Sequence, residues 1–229
     1  MCIRDSVDTC GTGGGKTGTF NISTAAAIVA ASAGASVAKH GNRKSTSLTG
    51  SADVLEVMGV NVDCSVETVQ KCLNQLGICF CYAPLFHPSV KNVSNVRKKL
   101  KHRTIFNLIG PLCNPANAKF QVLGAGLGNT RPLLAQALAK LGTERSIVVH
   151  SRDGIGEISV SEITDVSEVL GAQVREGQLA PSDFGLEQSS VKLLRANSPS
   201  ESADVIKSCL LYTSPSPRDR TRSRMPSSA

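Results

Sequence analysis

Val7-Asp8-Thr9-Cys10-Gly11-Thr12-Gly13-Gly14-Gly15-Lys16-Thr17-Gly18-Thr19-Phe20-Asn21-Ile22-Ser23-Thr24 is the stretch on which the architecture turns. Glycine has no Cβ and accepts φ > 0, so a run this rich in it lets backbone N–H groups close on an anion. The run leads through the N-cap formers Asn21, Ser23 and Thr24 into Ala25-Ala26-Ala27-Ile28-Val29-Ala30-Ala31, a helix that ends near Gly34. A helix N-terminus carries unpaired N–H groups and about half a positive charge, so loop plus helix forms a seat for phosphate. No Gly-Lys-Ser/Thr closes the loop, and the Gly-x-Gly-x-x-Gly spacing of dinucleotide folds is not met cleanly. A plain turn is the competing reading, and the next segment weighs against it. Ser36-Val37-Ala38-Lys39-His40-Gly41-Asn42-Arg43 reads as a short strand ending in a basic turn. A second hydroxyl-rich run, Lys44-Ser45-Thr46-Ser47-Leu48-Thr49-Gly50-Ser51, then enters a helix. Two such loops one βα unit apart suit a ligand with two phosphate groups.

Working outward, the pattern predicts helices over 23–33, 51–58, 65–76, 88–100 and 130–141, and strands over 36–39, 78–82, 121–125 and 146–150. Further β segments are expected within 157–160 and 162–170. The alternation predicts an α/β fold with a largely parallel, helix-covered sheet and no internal repeat. Met58 and Phe106 read as core residues.

Several motifs, in order, resemble the anthranilate phosphoribosyltransferase family. They are Gly11-Thr12-Gly13-Gly14, Thr19-Phe20-Asn21-Ile22-Ser23-Thr24, Lys39-His40-Gly41-Asn42-Arg43 and Gly50-Ser51-Ala52-Asp53-Val54-Leu55-Glu56. Phe86-His87-Pro88, the run Arg103-Thr104-Ile105-Phe106-Asn107-Leu108-Ile109-Gly110-Pro111-Leu112 and His150-Ser151-Arg152-Asp153-Gly154 continue the series. The resemblance covers nearly all of residues 7–208. It implies a mostly parallel helix-covered sheet of the nucleoside phosphorylase/phosphoribosyltransferase type, without the family's N-terminal helical domain and C-terminal part. It also implies displacement of pyrophosphate from phosphoribosyl pyrophosphate by the anthranilate amine, in tryptophan biosynthesis, with Mg²⁺ as cofactor and a homodimer at full length.

Such a reaction needs anion-binding amides and cations rather than a covalent nucleophile, and none is expected. The resemblance implies that phosphoribosyl pyrophosphate meets Gly11, Gly14, Gly15, Thr19, Asn21, Ile22, Ser23 and Thr24. Lys39, His40, Gly41, Asn42, Arg43, Ser45, Ser47 and Ser51 would take its remaining contacts. Anthranilate would meet Gly11, Asn42, His87, Arg103 and Pro111, with Arg103 on its carboxylate, since arginine can bind that group bidentately. Without its downstream context, Arg103 reads as the solvated end of the basic run from Arg97. His40 and His87 would be positioning groups rather than bases. Ser23 and Glu157 would hold metal, as oxygen donors suit a hard cation. Two departures stand out. The family's Gly-Gly-Asp-Gly loop is here Gly14-Gly15-Lys16, and its Asp-Gly-Leu-Asp-Glu motif is Asp153-Gly154-Ile155-Gly156-Glu157. Gly156 therefore stands where the family has an Asp ligand.

The ends read differently. Met1-Cys2-Ile3-Arg4-Asp5 can be written ATG TGT ATA AGA GAC, and Cys209-Leu210-Leu211-Tyr212-Thr213-Ser214 as TGT CTC TTA TAC ACA TCT. The reverse complement of the second contains TGTATAAGAGACA, so both ends carry one element in opposite orientations. Residues 1–6 and 209–229 are therefore expected to be translated sequencing adapter, leaving a truncated α/β domain over 7–208. Of the formal charge of +7, the tail's four arginines against Asp219 account for three units. The modest remainder suits small polyanions as well as it suits nucleic acid. No nucleic-acid partner is expected, because Arg103 and the intact turn from Lys39 to Arg43 point to an anthranilate pocket.

Of eight cysteines, six lie outside those ends and match no common zinc spacing. Reduced thiols in a cytoplasmic protein are expected, with Cys79 and Cys81 as core residues or opposite-face neighbours. An upstream organellar targeting segment stays compatible with the sequence. No apolar run reaches the roughly 20 residues of a membrane span. Two rival readings remain. One is a paralogue that keeps the phosphate seats, has lost metal chemistry and binds a ligand or nucleic acid. The other, less supported, is a pyrimidine nucleoside phosphorylase.

Overall fold

The computed structural model describes residues 5–13, 18–44, 48–89 and 104–211. Seven strands form one sheet: β1 (Val7–Gly11), β2 (Val37–Gly41), β3 (Ile78–Tyr82), β4 (Phe120–Gly124), β5 (Arg145–Ser151), β6 (Thr164–Leu170) and β7 (Gln173–Leu179), in the order β3-β2-β1-β4-β5-β6-β7. The first five of that order run parallel, and β6 and β7 add an antiparallel hairpin at one edge. The helices are α1 (Ile22–Ser32), α2 (Ser51–Val57), α3 (Val66–Leu76), α4 (Ala83–Phe86), α5 (Arg131–Leu141) and α6 (Pro199–Leu211).

Local chemistry explains most boundaries. Asn21 caps α1, its Oδ1 accepting from Thr24 N at 3.1 Å, and Ser65 caps α3 by accepting from Thr68 N at 3.3 Å. Gly77 ends α3 at φ 72°, a left-handed turn that glycine adopts freely. One core packs Leu134 and Leu138 of α5 on Leu123, Val148 and Val169 of the sheet. A second packs Val69 and Leu73 of α3 on Ala38, Cys79 and Cys81. A third joins Val54 of α2 to Ala203 and Ile206 of α6.

Several expectations need correction. Residues 7–11, read as part of a loop, are β1, the middle strand of the five parallel ones. Its buried Asp8 and Thr9 break the apolar signature, and they are tolerated because Asp8 accepts from His40 N (3.0 Å) and Gln121 Nε2 (3.2 Å). Residues 157–160 are not a strand: Thr164 Oγ1 takes Ser159 N and Ser159 Oγ takes Ser161 N, diverting the backbone from a ladder. The hairpin strand β7 and helix α6 carried no sequence expectation. Cys79 and Cys81 share a face, as i and i+2 of one strand must, with Sγ atoms 4.0 Å apart. All cysteines among the described residues are free thiols. Ser6 is buried and accepts from Phe120 N, and α6 runs through Cys209 to Leu211. The expected helix over 88–100 lies almost wholly outside the described residues. Among the described residues no helix is long and apolar enough to cross a membrane.

Candidate functional site

The strand order reverses at β1, whose neighbours β2 and β4 carry the chain to opposite sides. Ligands of open α/β sheets sit at such a switch point, outside the carboxyl ends of the strands. A cavity of about 720 Å³ lies there. Its floor holds Gly11, Gly41 and Gly124, the last residues of β1, β2 and β4.

Backbone meets backbone across this floor. A Cβ on Gly124 would stand 1.9 Å from Gly156 O, and one on Gly126 would stand 2.0 Å from Gly13 O. Only glycine permits that approach, and it stacks the loops after β1, β4 and β5 on one another.

Lys39 is the buried cation of the site. It is only 3 % exposed, and its Nζ donates to Thr9 O and, at 3.1 Å, to Ser23 Oγ at the start of α1. Burial lowers its pKa, while Asp8, Cys10 and Glu157 pull the other way. Glu157 reaches the same cavity from the loop after β5. Burial pushes its carboxyl up to about 7, opposed by Lys39. His40 and His87 face each other with Nε2 atoms 3.2 Å apart, so one donates to the other. Burial lowers the His40 pKa, which keeps that ring neutral.

Of the expected site residues, Gly11, Thr19, Asn21, Ile22, Ser23, Lys39, His40, Gly41, Asn42, Arg43, Ser51, His87, Pro111, Gly156 and Glu157 all line this cavity. Thr24 does not; its hydroxyl is 2.5 Å from Asn21 Oδ1, completing the α1 cap. The Asn21 carboxamide oxygen is spent on the same cap. Arg43 is already paired with Glu56. Gly14, Gly15, Ser45, Ser47 and Arg103 lie outside the described residues. Phe106, expected in the core, lines the cavity beside Ile109, Ala83 and Pro84, giving it an apolar wall. Gly124 and Gly126 were missed, although paired glycines at a strand's carboxyl end were a readable signal.

The donor set suits a hard cation only in part. Glu157 supplies one carboxylate and Ser23 one hydroxyl, and among the described residues no group of three or more His, Cys, Asp or Glu could hold a metal. That fits Mg²⁺, which often takes one or two protein oxygens and completes its shell with water and ligand phosphate.

A glycine-floored cavity at the switch point, with a buried lysine and, among the described residues, one carboxylate, makes this an α/β domain whose site is suited to an anion. The chain belongs to the glycosyl transferase family, a/b domain, whose model matches residues 4–221. It is 49 % identical over 201 residues to an anthranilate phosphoribosyltransferase of Rhodopirellula baltica, covering 88 % of this chain and 59 % of that protein. The counterpart from Herpetosiphon aurantiacus is 48 % identical, with 93 % and 63 % covered. Among solved structures, the Thermus thermophilus anthranilate phosphoribosyltransferase superposes with TM-score 0.84 at 39 % identity, over 91 % of this chain and 61 % of that one. The Saccharomyces cerevisiae enzyme in complex with PRPP and Mg does so with TM-score 0.82 at 33 % identity, over 90 % and 56 %. The chain thus spans about three-fifths of the length of these relatives.

Proposed function

We propose that this chain is the phosphoribosyl-binding α/β part of an anthranilate phosphoribosyltransferase that serves tryptophan biosynthesis in the cytoplasm and works as a homodimer at full length. Residues 7–208 would be its working unit. The observation that carries the reading is Lys39, buried between Ser23 and Glu157 at the floor of a cavity sized for a sugar phosphate and a flat ring. In the proposed reaction the anthranilate nitrogen bonds to C1 of phosphoribosyl pyrophosphate. The C1–O bond to pyrophosphate breaks, and the nitrogen sheds its proton to water. The loops around Gly11 and Ile22 and the Lys39 ammonium offset the charge of the departing pyrophosphate. Glu157 and Ser23 would hold Mg²⁺, which would supply further positive charge to the same group. His87, Asn42 and the Gly110-Pro111 turn orient the ring, with Arg103 on its carboxylate.

Two tests suit the two halves of the reading. Calorimetric titration of this chain with inorganic pyrophosphate, with and without Mg²⁺, reports the phosphate seat. Loss of anthranilate fluorescence with phosphoribosyl pyrophosphate and Mg²⁺, measured on the longer protein, reports the reaction. Turnover of a nucleoside with phosphate instead would identify a phosphorylase. Salt-dependent binding to nucleic acid without pyrophosphate binding would identify the binding paralogue.

The metal site yields two expectations. Only the ionised Glu157 binds a cation, and its carboxyl is pushed up to about 7. Mg²⁺ affinity should therefore fall about tenfold per pH unit below that value and level off above it. Mg²⁺ titrations at a series of pH values on both sides of 7 check this; a flat profile removes Glu157 from the site. Gly156→Asp should raise Mg²⁺-dependent pyrophosphate affinity, because it adds a second carboxylate. Its Cβ would lie 3.2 Å from the Ala125 backbone, so a shift of a few tenths of an ångström admits it. Unchanged or weaker affinity in a folded variant counts against a metal at this loop.

A further inference from the structure

Arg43 ends the basic turn, yet each nitrogen of its guanidinium is already donating. Nη1 and Nη2 meet the Glu56 carboxylate of α2 at 2.5 and 2.6 Å, and Nε meets Tyr82 Oη of β3 at 3.0 Å. Its Cζ stands 5.8 Å from the Tyr82 ring centroid, and Asp53 Oδ1 lies 3.7 Å from Nη1. A fork–fork pair backed by an aromatic ring is far more directional than a lone surface ion pair. Hydrogen bonding to Glu56 and then Tyr82 raises the Arg43 pKa, in keeping with a cation committed to these partners.

The surroundings show what this pairing holds. Asp53 Oδ2 accepts from Lys44 N (2.8 Å) and Gly50 N (3.0 Å), the two amides that flank the hydroxyl-rich loop. A Cβ on Gly50 would stand 2.3 Å from Lys44 N, and one on Gly41 would stand 2.1 Å from Ser51 Oγ. The turn after β2 and the entry to α2 therefore touch with almost no side chain between them. Asn42 O accepts from Ala52 N at 3.2 Å across the same seam.

We propose that Arg43 is a positioning residue: by gripping Glu56 and Tyr82 it locks the turn at 41–44 onto α2 and β3, and so holds Asn42 and Gly50 in the cavity wall. It does not itself take phosphate. The proposal rests on the phosphate-binding reading above, and the two can fail separately.

Glu56 separates a latch from a ligand. If Arg43 were a phosphate ligand, Glu56 would compete for it, and Glu56→Gln would leave pyrophosphate affinity unchanged or improve it. If Arg43 is a latch, Glu56→Gln and Arg43→Ala each weaken Mg²⁺-dependent pyrophosphate binding severalfold, and the double variant is no weaker than the worse single. Hydrogen exchange at the amides of Asn42, Arg43 and Lys44 should speed up in all three variants. Tighter or unchanged binding in Glu56→Gln overturns the proposal, as do additive losses in the double variant. Should the unaltered chain not bind pyrophosphate, the cavity reading fails. The exchange rates then decide alone, and unchanged rates in Arg43→Ala and Glu56→Gln overturn the latch.

Discussion

Lys39→Met should weaken pyrophosphate binding roughly ten- to a hundredfold, the range expected when a charge-assisted hydrogen bond worth about 1.5–3 kcal/mol is lost. Methionine fills nearly the same volume within β2 but brings no charge and no donor. Lys39 is nearly inaccessible and held by Thr9 and Ser23, so its ammonium is fixed in place at the cavity floor. A second consequence follows from its neighbour. Lys39 holds the Glu157 carboxyl down against the desolvation that pushes it up to about 7. Without the cation that carboxyl titrates higher, so the pH midpoint for Mg²⁺ binding should move up. Calorimetry at pH values on both sides of 7, with a thermal melt to verify folding, reads both effects. A folded variant with ordinary affinity and an unmoved midpoint would place the anion elsewhere.

Gly124→Ala should be the most damaging glycine-to-alanine change among the described residues. Its Cβ would stand 1.9 Å from Gly156 O, a backbone atom that no rotamer change can move. Either β4 or the loop carrying Glu157 must give way. Overpacking of this kind costs about 1–3 kcal/mol, which in a chain of this length lowers Tm by roughly 2–12 °C. Because the displaced loop carries Glu157, Mg²⁺ dependence of pyrophosphate binding should fall further than the melt alone implies. Gly177→Ala on β7 is the control: nothing lies within 4 Å of its Cβ, and its backbone is not left-handed. It should leave Tm unchanged or slightly raised by reducing the entropy of the unfolded chain. Equal melts for the two variants would mean that the β4 floor yields, and the glycine stack is not a constraint.

The elements with strong local signals are legible in the order of residues alone. Helices α1, α2, α3 and α5 and strands β2 to β5 fall within two residues of their expected bounds, because caps, left-handed glycines and apolar periodicity are short-range. β1 is not legible in that way, because its buried positions include Asp8 and Thr9, whose partners lie 32 residues away at His40 and 14 away at Ser23. β7 is polar on an exposed edge and has no pattern of its own.

At the site, residue identities are readable but roles are not. Motif order marks Ser23, Lys39 and Glu157 as members of one site, and the structure gathers all three around one cavity. That Thr24 caps a helix, that Arg43 is paired with Glu56 and that Phe106 faces the cavity depend on where distant groups arrive.

Sequence alone therefore determined the α/β class, the cap that opens α1 and the residue types that meet at the cavity, since backbone freedom, capping and charge type are properties of residues in a row. Tertiary structure decided the switch point at β1, the stacking of Gly124 on Gly156 and the pH at which Glu157 ionises. Each of these is set by atoms far apart in the chain that only folding brings within a few ångströms.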